Sequence, residues 1–197
     1  MNKPQIEALL LQSLEHELGG VKVYTTAIGC AVNSDLKQEW TKYLEETKTH
    51  VTKLESVCRA FGLDPAKPAP GRAVVRHLGG ALVEAMEIAK SEGNPAAAEL
   101  VACECVVIAE TKDHLDWELI AKCGEHLSGD EAAALTEASG EIEDQEDEHL
   151  YHSKGWCREL WLQSLGLKAL LPPPEERQHV KTAIGAARAE QAAEKER

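Results

Sequence analysis

Four places along this chain set a carboxylate into an apolar helical pattern. Glu17 interrupts the series Ile6, Leu10, Leu14, Val21, Tyr24, Ile28. Glu46 and His50, one helical turn apart, flank the series Trp40, Leu44, Thr47, Val51, Leu54, Cys58, Phe61. Glu110 and His114 fall on the series Leu100, Cys103, Val107, Trp117, Ala121. Glu146 and His149 fall on Leu135, Ile142, Ser153, Trp156, Leu160, with Glu143 beside them. An unpaired carboxylate taken out of water costs several kcal/mol or takes up a proton. Several converging ones repel each other, and cations are the simplest compensation. Carboxylates with neutral imidazoles are ligands for iron or manganese, and the Glu-x-x-His spacing of Glu146 and His149 puts both on one helix face. Taken singly, each acid also fits a stripe edge that reaches water. The run Glu141 to Glu148 also fits a solvated face. It is the recurrence at matching heights that argues for a site.

The elements that hold these residues are helices. The eight prolines lie at positions 4, 65, 68, 70, 95 and 172 to 174, leaving three long windows without a helix breaker. Period-two runs of β-branched and aromatic residues are missing, and aromatics are 4% of the chain. Helix A is expected from about Pro4 to Val32. Asn33-Ser34-Asp35 forms a turn, with Asp35 and Gln38 as a capping box opening helix B, which runs to Phe61. Gly62 and Asp64-Pro65 stop it. A proline-rich link leads to a shorter crossover helix, Arg72 to Lys90. Asn94-Pro95 caps helix C, which runs to about Cys123. Ser128 and Glu131 read as a capping box for helix D, which runs to about Leu165. The expected domain spans 1–171, with a helical or flexible tail over 172–197. Two long helices, a crossover and two long helices is the order of a ferritin-like antiparallel four-helix bundle.

Composition narrows the partners. The 21 basic and 34 acidic residues give a formal charge of −13. The tail carries five of each sign, so the excess lies before it. Nucleic acid and anionic membranes need a basic surface and are excluded as expected partners. No apolar stretch approaches the ~20 residues of a membrane span, and no secretory leader pattern opens the chain, so a cytoplasmic location is the default expectation. Cys30, Cys58, Cys103, Cys105, Cys123 and Cys157 include no C-x-x-C pair, and most sit at apolar positions as small hydrophobes.

At these residues the sequence resembles the ferritin-like superfamily, most of all the YciE/YciF-type ferritin-like stress proteins. Leu44-Glu45-Glu46-Thr47 with Val51 and Leu54 resembles that family's helix B. Glu110, Asp113 and Trp117 resemble its Glu-x-x-Glu followed by an aromatic, and Gly129-Asp130-Glu131-Ala132-Ala133 its turn into helix D. The resemblance implies two iron ions, manganese, or a mixed pair. It implies that Glu17, Glu46 and His50 hold one ion, that Glu110, Glu146 and His149 hold the other, and that Glu46 and Glu146 bridge. Asp113, His114 and Glu143 are alternative ligands or groups that orient ligands. Oxygen, peroxide or iron handling in stress, with the metal-bound form acting as an oxidoreductase, is the implied role, and a homodimer the implied assembly. The sequence departs from the family on helix B, where Glu46-x-x-x-His50 replaces the three-residue spacing and Thr47 stands where the acid is expected. The alternative is a metal-free helical bundle serving as a protein-interaction module.

Overall fold

The computed structural model describes residues 1–197 and contains helices and connections only. In chain order they are α1 (Lys3–Cys30), α2 (Ser34–Ala60), α3 (Pro70–Ser91), α4 (Pro95–His126), α5 (Asp130–Ser164), α6 (Pro174–Arg177) and α7 (Ala183–Glu196). No helix is long and apolar enough to cross a membrane.

The helix starts follow local hydrogen-bonding chemistry, with two corrections to the sequence reading. The cap of α2 is Asn33, whose side chain accepts from the backbone N–H of Asp35 and Leu36 at 2.9 and 3.1 Å. Asp35 lies inside the first turn, where its charge complements the helix dipole instead of capping it. Ser128 caps nothing. Gly129, at φ 76°, is the residue that turns into α5, and its left-handed backbone costs a glycine nothing. Asn94 caps α4 through the N–H of Ala97, with Pro95 at the first helical position, as the spacing predicts.

Packing sets the directions. α1 lies against α2 and α4, and α5 lies against α4 and α2. Two apolar clusters fill the interior. One contains Ile6 to Leu14 of α1, Leu54 to Cys58 of α2, Trp117 to Cys123 of α4 and Leu135 to Ile142 of α5. The other contains Val23 to Cys30, Leu36 to Tyr43, Ala98 to Ala109 and Trp156 to Leu160 of the same helices. The chain therefore runs between the clusters in opposite senses in α1 and α2, in the same sense in α2 and α4, and back again in α5. Because α2 and α4 run the same way, their connection must return along the molecule, and α3 does so, packed on α1 and α4.

The C-terminal segment is docked on α5. Arg158 donates to both carboxylate oxygens of Glu175 at 2.7 and 2.9 Å. Glu159, fully buried, accepts from Arg158, from Arg197 and from the backbone N–H of Leu170. The indole N–H of Trp156 donates to Glu176. Ala189 and Ala193 are buried along α7.

Candidate metal centre

Between the two apolar clusters lies a layer of charged and polar side chains, one set from each long helix. Glu17 of α1, His50 of α2, Glu110 and Asp113 of α4, and Glu146 and His149 of α5 are all at most 4% exposed. Each stands about midway along a helix whose ends are apolar, so folding the helices together forces the six into one low-dielectric volume.

The geometry resolves into two overlapping triads. Oxygen and nitrogen atoms of Glu17, His50 and Glu146 lie within 4.8 Å of one another, and so do those of Glu110, Glu146 and His149. Glu146 belongs to both. Nδ1 of His50 is 2.9 Å from Glu146 and 3.5 Å from Glu17. Nδ1 of His149 is 3.6 Å from both Glu110 and Glu146. The far nitrogens are occupied from outside. Nε2 of His50 meets the amide oxygen of Gln145 at 2.8 Å, and Nε2 of His149 meets Glu46 at 3.0 Å. Both partners are acceptors, so each Nε2 carries the hydrogen. Nδ1 then faces the carboxylates, donating to them when the ring is protonated and offering a lone pair when it is neutral.

Hydrogen bonding inside the layer is incomplete. Trp117 donates its indole N–H to Glu17 at 2.7 Å. Both oxygens of Glu146, one each of Glu17, Glu110 and Asp113, and Nδ1 of His50 have no hydrogen bond, despite the short approach of His50 to Glu146. Buried polar atoms are almost always paired, so the layer as it stands is short of hydrogen-bond donors.

Electrostatics agrees. Burial pushes Asp113 well above the usual carboxylate range, and the charges of Glu17, Glu146 and Glu110 push it further. Burial also raises Glu146, with Glu110 and Glu17 adding to it against the pull of the two imidazoles. On Glu110 the effect of burial is outweighed by His149, and its carboxyl is held low. Burial would lower both imidazoles, but the carboxylates win. Glu17 and Glu146 hold His50 well above its ordinary value, and Glu110 and Glu46 hold His149 at about 9. These shifts push Asp113 and Glu146 toward their neutral forms and the two imidazoles toward their charged forms.

The residues expected from sequence do not all enter this layer. Glu46 is part-exposed and stands behind His149 rather than in a triad. Thr47, which faces the core in its stead, spends its hydroxyl on the Tyr43 carbonyl. Glu143 is exposed, and Glu146 is the buried acid of α5. His114 lies at the rim, 3.5 Å from Asp147 and 3.6 Å from Glu118. Asp113 occupies the interior instead, because the buried line of α4 runs Val106, Glu110, Asp113, Trp117, Ile120. Val106 and Ile120 are as apolar as Val107 and Ala121, so the sequence pattern fits either phase. Gln145 gave no signal, being one polar residue in a charged run. Tyr24 and Tyr43 wall one side of the layer, with the Tyr43 ring 4.1 Å from that of His149. The six cysteines are free, and none joins either triad.

No family model matches this chain, and no curated protein or solved structure matches it either.

Proposed function

We propose that this chain is a ferritin-like four-helix bundle whose polar layer holds two divalent cations, iron, manganese or one of each. The observation that carries the reading is Glu146, whose two buried oxygens have no hydrogen bond and which is common to both triads. A carboxylate of that kind suits a bridge between two ions. The helix directions also support the reading, since two antiparallel pairs joined by a returning crossover is the ferritin-like order.

The donor set fits hard to borderline cations, with oxygens and imidazole nitrogens and no thiolate. Two divalent ions would balance the charge of Glu17, Glu110, Asp113 and Glu146 without protons. Glu17 and His50 would hold one ion, Glu110 and His149 the other, with Glu146 between them and Asp113 adjoining. Glu46 and Gln145 fix the ring orientation and tautomer of the two histidines, a role that tunes affinity at many metal sites. Bound iron or manganese would supply one-electron chemistry toward oxygen or peroxide, consistent with iron or peroxide handling in stress. The Tyr24 and Tyr43 rings and the apolar clusters exclude bulk water from the layer.

One observation favours the metal-free reading, in which the bundle acts as an interaction module: the raised imidazoles and acids allow proton-mediated neutrality. Elemental analysis of protein purified without chelator or affinity tag separates the two. The dimetal reading expects about two iron or manganese ions per chain, lost in the Glu17→Ala/Glu146→Ala variant. Less than one ion per chain, even after anaerobic addition of ferrous iron, would sink it.

A further inference from the structure

A hollow of about 290 Å³ opens between α1, α3 and α4. Glycines belong to its lining. Gly19 of α1 and Gly79 of α3 face each other, and a Cβ on Gly79 would lie 3.7 Å from the Cα of Gly19. That is ordinary van der Waals contact, so a methyl group would fit at either position. Each glycine costs its helix up to about 1 kcal/mol relative to alanine. The space beside their crossing is walled by Val23, Val75 and Leu82. Leu78 and Ile108 stand at the mouth and are more than half exposed.

The two polar side chains of the lining are already engaged. His16 donates from Nε2 to the Ala109 carbonyl at 3.0 Å, and the Lys112 ammonium is paired with Asp116. The hollow thus offers no free charge to a ligand. An apolar cavity of ~150 Å³ stays dry and takes up benzene, so this one has room for a molecule of about two fused rings. Its floor lies at the level of the polar layer, because His16, Ala109 and Lys112 are the chain neighbours of Glu17, Glu110 and Asp113.

We infer that this hollow is a binding site for one small, uncharged, hydrocarbon-like molecule, held beside the polar layer. The binding depends on shape and apolarity and needs no metal. The further idea that the ligand lies close to bound ions rests on the dimetal reading.

The test uses 1-fluoronaphthalene as probe, followed by ¹⁹F NMR with the full chain. In chelator-treated protein the expected result is saturable binding of one probe per chain, displaced by naphthalene. Ala81→Phe fills the mouth from an exposed position and should weaken binding at least about tenfold, equivalent to roughly 1.4 kcal/mol. Gly19→Ala, which meets nothing closer than 4.0 Å, should weaken binding while leaving the helix intact or more stable. No saturable binding by folded wild-type protein, or binding unchanged in both variants, would overturn the proposal. Concentration-dependent dimerisation that blocks the probe would also overturn it, by making the hollow a contact between copies. Manganese loading should broaden the bound probe's signal where zinc loading does not. Binding without that broadening keeps the pocket and counts against the dimetal reading.

Discussion

Replacing Glu146 by glutamine separates the roles of charge and packing in the polar layer. The amide keeps the side chain's size but removes a carboxylate that is 1% exposed and has no hydrogen bond. In the absence of metal, the wild-type acid is a liability. Burial and its acidic neighbours raise its folded-state pKa, so ionisation opposes folding as pH rises above the unfolded value of about 4.3. Under chelator at neutral pH the Glu146→Gln variant should therefore equal or exceed wild type, by up to about 1 kcal/mol. With metal the order reverses. A ligand at a hundred times its dissociation constant stabilises the native state by about 2.7 kcal/mol. For a chain of this length that corresponds to a melting-temperature rise of roughly 5–10 °C. Wild type should show that rise with ferrous iron or manganese, and the variant should not, because Glu146 is common to both triads. Differential scanning calorimetry with and without metal, anaerobically for iron, reads both effects. An equal metal-induced rise in both proteins would refute the bridging role. A large loss of stability under chelator would refute the claim that the layer is electrostatically strained without cations.

Two further outcomes follow from the same geometry. Glu46→Ala removes the acceptor behind His149 but no triad member, so metal stoichiometry should hold while affinity falls about 10- to 100-fold; isothermal titration showing loss of a whole ion would make Glu46 a direct ligand. Glu15, buried under α3, accepts from Arg72 and Arg76 at 2.6 to 2.9 Å, and these bonds outweigh burial to hold its carboxyl below the usual range. Its stabilising contribution is present above about pH 4.3 and is lost as pH falls through the lower folded value. Glu15→Gln should cost about 2–3 kcal/mol at neutral pH, and its urea-midpoint profile should be flatter on the acid side; a loss that is the same at every pH would refute the ion-pair account.

The sequence alone determined the helices, because proline placement and apolar spacing act locally, through backbone hydrogen bonding and side-chain periodicity. It also marked Glu17, Glu110, His149 and, with Glu143 as its alternative, Glu146, since these polar residues fall within helical patterns that are otherwise mostly apolar. Tertiary packing decided what local pattern leaves open. Neighbouring helix positions differ by ~100° around the axis, so a stripe that is read one residue out of phase exchanges Asp113 for His114. On α5, both Glu143 and Glu146 lie near the face, and only the seat of that helix against α2 and α4 buries Glu146 and exposes Glu143. The place of Glu46 was likewise invisible, because Glu46 and His149 are 103 residues apart and meet only when α2 and α5 pack. The docking of α6 and α7 depends on Glu159 and Arg158 of α5 finding Arg197 and Glu175. Ion pairs of that kind carry no periodicity, so the sequence does not announce them before the chain is folded.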